Sequence, residues 1–213
     1  VWTLLAANPG SHRRSVVVAL VVDDALKIAA DWLPGFAANS VQTTRGMLNT
    51  LSLTSEHKGL LMLIADGLSG EYEEVVQHLP PGRYTLAGCL AGGDLRQGRT
   101  YQFGGNRFGE EGLAGVFLSS EDLHVGVGCA HGWHSIGATF EVSRVSGQWV
   151  RALDGEIATE AYARLFGRPS RDWALPPLNT LVRLYPLGIL RPDKPLLVRA
   201  PLRVELDGSL RMN

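Results

Sequence analysis

Cys129, His131 and His134 lie within the stretch GVGCAHGWHSIG, residues 126–137, with Trp133 between the histidines. Thiolate and imidazole are ligand types that zinc accepts. A single imidazole is also what haem iron takes from its proximal side. On an extended strand Cys129 and His131 would share a face, but Gly132 turns the chain, and no C-x-x-C pair elsewhere supplies further zinc ligands. C-x-x-C-H is absent as well, so any haem would be held without a covalent link, by His131 or His134, with Trp133 and Phe103 as candidate walls. The glycines at 126, 128, 132 and 137 leave a third reading, a turn shaped around a small ligand.

The other cysteine, Cys89, sits in AGCLAGG, where an apolar run enters a glycine loop. A thiol there would be exposed, and neighbouring amides could hold an oxyanion, as a Cys89-dependent hydrolase requires. The competing reading is a small buried thiol that packs as a hydrophobe. G-x-S-x-G, G-x-G-x-x-G and G-x-x-x-x-G-K-[ST] do not occur, which removes the usual serine elbow and the nucleotide-phosphate cradles. Gly92 and Gly93 follow the same apolar run and can leave amides free for a carboxylate, with Arg107 as the cation; an ordinary tight turn is the alternative.

The elements that would carry these residues follow from periodicity. The β-branched run 16–22 reads as a buried strand and DDALKIAADWL after it as a helix. A helix is expected over 40–53, a buried strand over 58–66 ending in a loop with Asp66, Gly67 and Gly70, a short helix before Pro80, and a strand over 83–91. Residues 97–112 read as a long loop or hairpin end. GLAGVFLSS and LHVGVGCAHG read as an antiparallel hairpin, and 140–153 as a second one turning at Ser146-Gly147. A helix would start at Asp154 as N-cap and stop at Gly167.

With 20 basic against 21 acidic side chains and no Lys/Arg run longer than Arg13-Arg14, the chain has no nucleic-acid footprint. Its apolar runs, at 15–22 and 60–65, fall short of the about 20 residues of a membrane helix, so no membrane role is expected. Two distant cysteines and no signal-peptide pattern imply a reduced, cytoplasmic protein. The fold class expected is α/β (α+β), with mixed, largely antiparallel sheets and helices packed outside.

Taken in order, LLMLIADGLSGEYEEVVQHL, YTLAGCLAGGD, YQFGGN, GLAGVFL, LHVGVGCAHGWHSIG, FEVSRVSGQWVRALDGEIATEAYARLFG and YPLGI resemble the FIST family of bacterial signal-transduction proteins. The resemblance implies an N-terminal FIST-like domain over 1–167 lacking its upstream part, a linker over 168–180, and the start of a C-terminal FIST-like domain over 181–213. It further implies a sensor of a small ligand, with amino acids proposed for the family, haem bound by a subset that resembles nitric-oxide sensors, and a signalling partner such as a histidine kinase. The family's doubled glycine is Gly88-Cys89 here, and His134-Ser135 replaces a common proline. The pocket expected gathers loop ends at 66–70, 88–94, 103–107 and 131–137, with Asp66, Gly88, Cys89, Gly92, Gly93 and Arg107 beside a wall of His131, Trp133 and His134. No catalytic residue and no metal is expected in it.

Overall fold

The computed structural model describes residues 18, 20–53, 56, 58–70, 72–94, 98–128, 130–192 and 196–212. The chain divides into two compact units, residues 1–128 and 129–213. Together they give a mixed α/β fold with mostly antiparallel pairing, as expected from the sequence. Among the described residues no helix is long and apolar enough to cross a membrane.

The first unit is built on a four-stranded sheet in which β1 (Lys27–Leu33), β8 (Leu113–Ser119), β2 (Gly59–Asp66) and β3 (Tyr84–Ala91) lie side by side. β8 runs antiparallel to both β1 and β2, while β2 and β3 are parallel and joined through α2 (Tyr72–Gln77). A parallel pair needs such a crossover, because a tight turn can only reverse the chain. Alternate residues of β2, namely Leu61, Leu63 and Ala65, are buried and share a core with Met47 and Leu48 of α1 (Ser40–Thr50) and with Leu51, which caps its carboxyl end. α1 begins where the Asn39 side chain accepts the Gln42 amide hydrogen at 2.9 Å. Its approach depends on Gly115 of β8, where an added Cβ would lie 2.6 Å from the Met47 sulfur.

Between β3 and β8 the chain makes short pairings: β4 (Gly93–Asp94) with β5 (Arg99–Thr100), then β6 (Gln102–Gly104) with β7 (Arg107–Gly109). Of the two readings of residues 97–112, a long loop or a hairpin end, the structure has the hairpin, between β6 and β7. It lies close on β1, since a Cβ at Gly104 would stand 2.1 Å from the Asp31 carbonyl oxygen.

Three expectations for this unit are corrected. Residues 27–33 form a strand, although their apolar residues have helical spacing, because every residue from Lys27 to Leu33 finds a partner in β8; tertiary pairing overrides a short periodic signal. Val18, Leu20, Val21 and Val22 are exposed and outside any strand, while Val16, Val17 and Ala19 of the expected run lie outside the described residues. β8 does not pair with 123–128, which carries no strand; its two edges are occupied by β1 and β2.

The second unit holds β9 (Val142–Ser146) and β10 (Trp149–Leu153) as the expected hairpin, with Gly147 at φ +57° in the turn. β10 continues to β11 (Glu156–Ile157) on one side and to β15 (Leu210–Met212) and β14 (Pro201–Val204) on the other, while β12 (Leu187–Ile189) and β13 (Leu197–Arg199) form a separate pair. The expected helix is α3 (Ala158–Phe166), closed by Gly167 at φ +68°. Asp154 is not its N-cap: it stands at φ +52° in the preceding turn, where its carboxylate accepts the Glu141 amide hydrogen at 2.7 Å. Residues 168–180 carry α4 (Ser170–Trp173) and most of α5 (Leu178–Leu181), and Trp173 enters the core with Tyr162, Val182 and Leu210. The Tyr162 hydroxyl donates to the Tyr185 carbonyl at 2.7 Å, and burial pushes its pKa up.

Candidate functional site

β2 and β3 end together, with Asp66 opposite Ala91 in the parallel register. In a sheet with parallel strands the space beyond their carboxyl ends is open to a ligand, because the chain leaves in different directions. Here the departing loop hugs the sheet, since a Cβ at Gly67 would come within 2.3 Å of the Ala91 carbonyl oxygen. Beyond it opens a cleft of about 250 Å³ lined by Asp66, Leu68, Ser69, Gly98, Arg99, Thr100, Glu110 and Glu111.

The floor of that cleft is a closed ring of hydrogen bonds. The Asp66 amide donates to the Gly112 carbonyl at 3.1 Å, and the Gly112 amide donates to the Gln102 side-chain oxygen at 3.3 Å. The Gln102 side-chain nitrogen donates to the Thr100 hydroxyl at 2.6 Å, and that hydroxyl returns to the Asp66 carboxylate at 2.8 Å. Every donor points the same way round, an arrangement in which each bond polarises the next. Asp66, Thr100 and Gln102 are each at most 3% exposed, and buried polar groups of this kind persist only when paired. The Asp66 carboxylate also accepts the Leu68 amide at 2.9 Å and the Ser69 hydroxyl at 2.7 Å, so the ring ties β2, the loop after it, the β5–β6 segment and the start of β8 into one frame.

The charged rim differs in how firmly it is held. Arg99 reaches Glu110 at 3.4 Å, and the neighbouring Tyr101 hydroxyl, followed by the Glu110 charge, raises its pKa. Arg107, on β7, makes a two-pronged contact with Asp31 through Nε, at 2.8 Å, and Nη2. That guanidinium holds the Asp31 carboxyl below its ordinary pKa despite partial burial. Glu111 lines the cleft with a left-handed backbone, φ +53°, a conformation of some cost for a residue with a Cβ.

Of the site residues expected from sequence, Asp66 lines the cleft, and Gly93 is tied to it through the pairing of Gly93 with Thr100. Gly88 is inside β3 rather than in a loop, where a Cβ would stand 2.2 Å from the Leu63 carbonyl oxygen. Cys89 is exposed on the same strand. Gly92 has open space around it. Arg107 is engaged by Asp31 and does not line the cleft.

His131, Trp133 and His134 belong to the second unit. His131 uses both ring nitrogens: Nε2 is 2.9 Å from the Leu196 carbonyl, and Nδ1 accepts the Trp133 amide hydrogen at 3.3 Å, which fits the tautomer protonated at Nε2. Ligation of haem iron by His131 would cost one of these bonds, and beside His134 the side chains of Trp133 and Ile136 are exposed rather than closed into an apolar wall. Cys129 lies outside the described residues, and no group of three His, Cys, Asp or Glu side chains among the described ones could hold a metal ion.

Arg99, Thr100, Gln102 and Glu110 were not singled out from the sequence. Thr100 and Gln102 alternate with Tyr101 and Phe103, and period-two polarity with the small polar residues inward was the available signal. Comparison with known proteins adds one result: the family model of the FIST N domain matches residues 4–156. No curated protein and no solved structure matches the chain.

Proposed function

The chain belongs to the FIST N domain family, a family of sensory domains, and from that premise we propose that it binds a small polar ligand such as an amino acid in the cleft beyond β2 and β3. The single observation that carries this reading is a polar cleft whose floor is held by the Asp66–Thr100–Gln102–Gly112 ring before any ligand arrives. Preorganisation of that kind lowers the ordering cost of binding. The volume, about 250 Å³, lies just under the about 300 Å³ at which drug-sized pockets begin, so a small metabolite suits it. Ligand occupancy would be passed to a signalling partner such as a histidine kinase.

A thermal-shift screen with the protein amino acids, small carboxylates and haemin tests the reading, because a ligand present at 100 times its Kd stabilises the native state by about 2.7 kcal/mol. An amino acid or small carboxylate is expected to raise the midpoint, and Leu68→Trp, which fills the cleft without removing a side chain of the ring, is expected to abolish the shift. A response to haemin alone, with a Soret band lost on replacing His131 or His134, would move the function to the second unit and overturn the cleft.

A further inference from the structure

Two arginines on neighbouring short strands, Arg99 on β5 and Arg107 on β7, are held in opposite ways. Arg107 is committed, with two prongs on Asp31 and the Asp31 carboxylate further fixed by the Trp32 amide at 2.7 Å. Among the described carboxylates Arg99 meets Glu110 through one prong, at 3.4 Å; its side chain is 59% exposed, and it lines the cleft, as does Glu110. An exposed ion pair with one prong is worth little and is easily redirected. A guanidinium offers a planar fork that a carboxylate can fill with two parallel bonds, and Arg99 makes no such pair among the described residues.

Resting on the reading above, we propose that an α-amino acid enters the cleft as a zwitterion and inserts between Arg99 and Glu110, its carboxylate taking the Arg99 fork and its ammonium taking the Glu110 carboxylate. The exchange conserves charge. One weak internal pair opens and two ligand pairs form, so neither Arg99 nor Glu110 is left unpaired beside the buried ring. Selection then falls on the two charged ends of the ligand together. An amine without the carboxylate would leave Arg99 on Glu110, and a carboxylate without the amine would strip Glu110 of its partner and leave it facing the cleft.

Calorimetric titration of the full chain tests this, using the amino acid with the largest thermal shift, its C-terminal amide, and the amine formed by its decarboxylation. Each analogue is expected to bind on the order of tenfold to a hundredfold more weakly than the acid, as hydrogen bonds to charged groups are worth. Arg99→Gln is expected to lower affinity for the acid by the same factor, to erase the preference for acid over amide, and to leave the unfolding midpoint of the free protein in place. Arg107→Gln, with its arginine outside the cleft, is expected to keep the preference. If Arg99→Gln binds the acid as wild type does while Leu68→Trp does not bind, the insertion is wrong and the cleft stands. If Leu68→Trp also binds normally, or no amino acid binds the wild type, the cleft reading itself falls and the insertion with it.

Discussion

The stretch 126–137 and the cleft beyond β2 divide chemistry and geometry unequally. The first carries cysteine, imidazole and indole, the groups with the widest reactivity, yet Trp133 and Ile136 are exposed and an added Cβ at Gly126, Gly128 or Gly132 would meet nothing within 4 Å. The second carries only carboxylates, hydroxyls, an amide and a guanidinium, yet Asp66, Thr100 and Gln102 are buried and bonded into a closed ring. Residue type names what a group can do; only packing decides whether it is held where that matters.

The largest effect expected from this contrast is at Asp66. Asp66→Ala removes the acceptor of three hydrogen bonds and leaves the Thr100 hydroxyl buried without one, so urea unfolding should show a loss of about 3 kcal/mol. Asp66→Asn keeps an oxygen for Thr100 and Leu68 and should lose less. His134→Ala, at an exposed position, should stay within about 0.5 kcal/mol of wild type. Equal losses at Asp66 and His134 would break the contrast.

Gly104→Ala comes next. Its Cβ would be 2.1 Å from the carbonyl oxygen of Asp31, a backbone atom fixed by the pairing of β1 with β8, so the β6–β7 hairpin would have to lift. Overpacking of this kind costs about 1–3 kcal/mol. Because Arg99 precedes the same hairpin and Glu110 follows it, the variant should also weaken ligand binding, which separates it from a simple surface defect.

The strands and helices flanking the cleft were legible because their signals agree. β2 is an unbroken apolar run closed by Asp66, α2 has acidic residues near its start, and β3 is apolar into its glycines. β1 reads as a helix in the sequence, since seven residues are too few to separate a helical period from a strand whose pairing partners lie 80 to 92 positions downstream. The ring was illegible for a related reason. Asp66, Thr100, Gln102 and Gly112 come from separate segments, and nothing local in the chain says that their polar atoms meet. Arg107 reads as a free cation among glycines, while the partner that occupies it, Asp31, stands 76 positions away.

The Arg107–Asp31 pair sharpens the contrast through pH. The folded pKa of Asp31 is depressed, chiefly by its hydrogen bond to Arg107, so its contribution to stability is present above the unfolded value, about 3.9, and is lost as pH falls through the folded value. The difference in urea midpoint between wild type and Asp31→Asn should therefore be steady near neutrality and shrink below about pH 4. A difference that grows on acidification would mean that the pair does not hold the hairpin on β1.

The smallest effect expected has the opposite sign. Gly132 has no positive φ, and a Cβ there would meet nothing within 4 Å, so alanine fits the native backbone and acts mainly by restricting the unfolded chain. Gly132→Ala should raise stability by about 0.4–1 kcal/mol, read as a small increase in the urea midpoint. Gly137 has equally open space but stands at φ +89°, so alanine there meets backbone strain and should lower stability instead. The pair of variants tests whether the stretch is as loosely framed as its surroundings indicate. A clear loss at Gly132 would show a neighbour pressing on it, and the histidines beside it would then regain a claim to a built site.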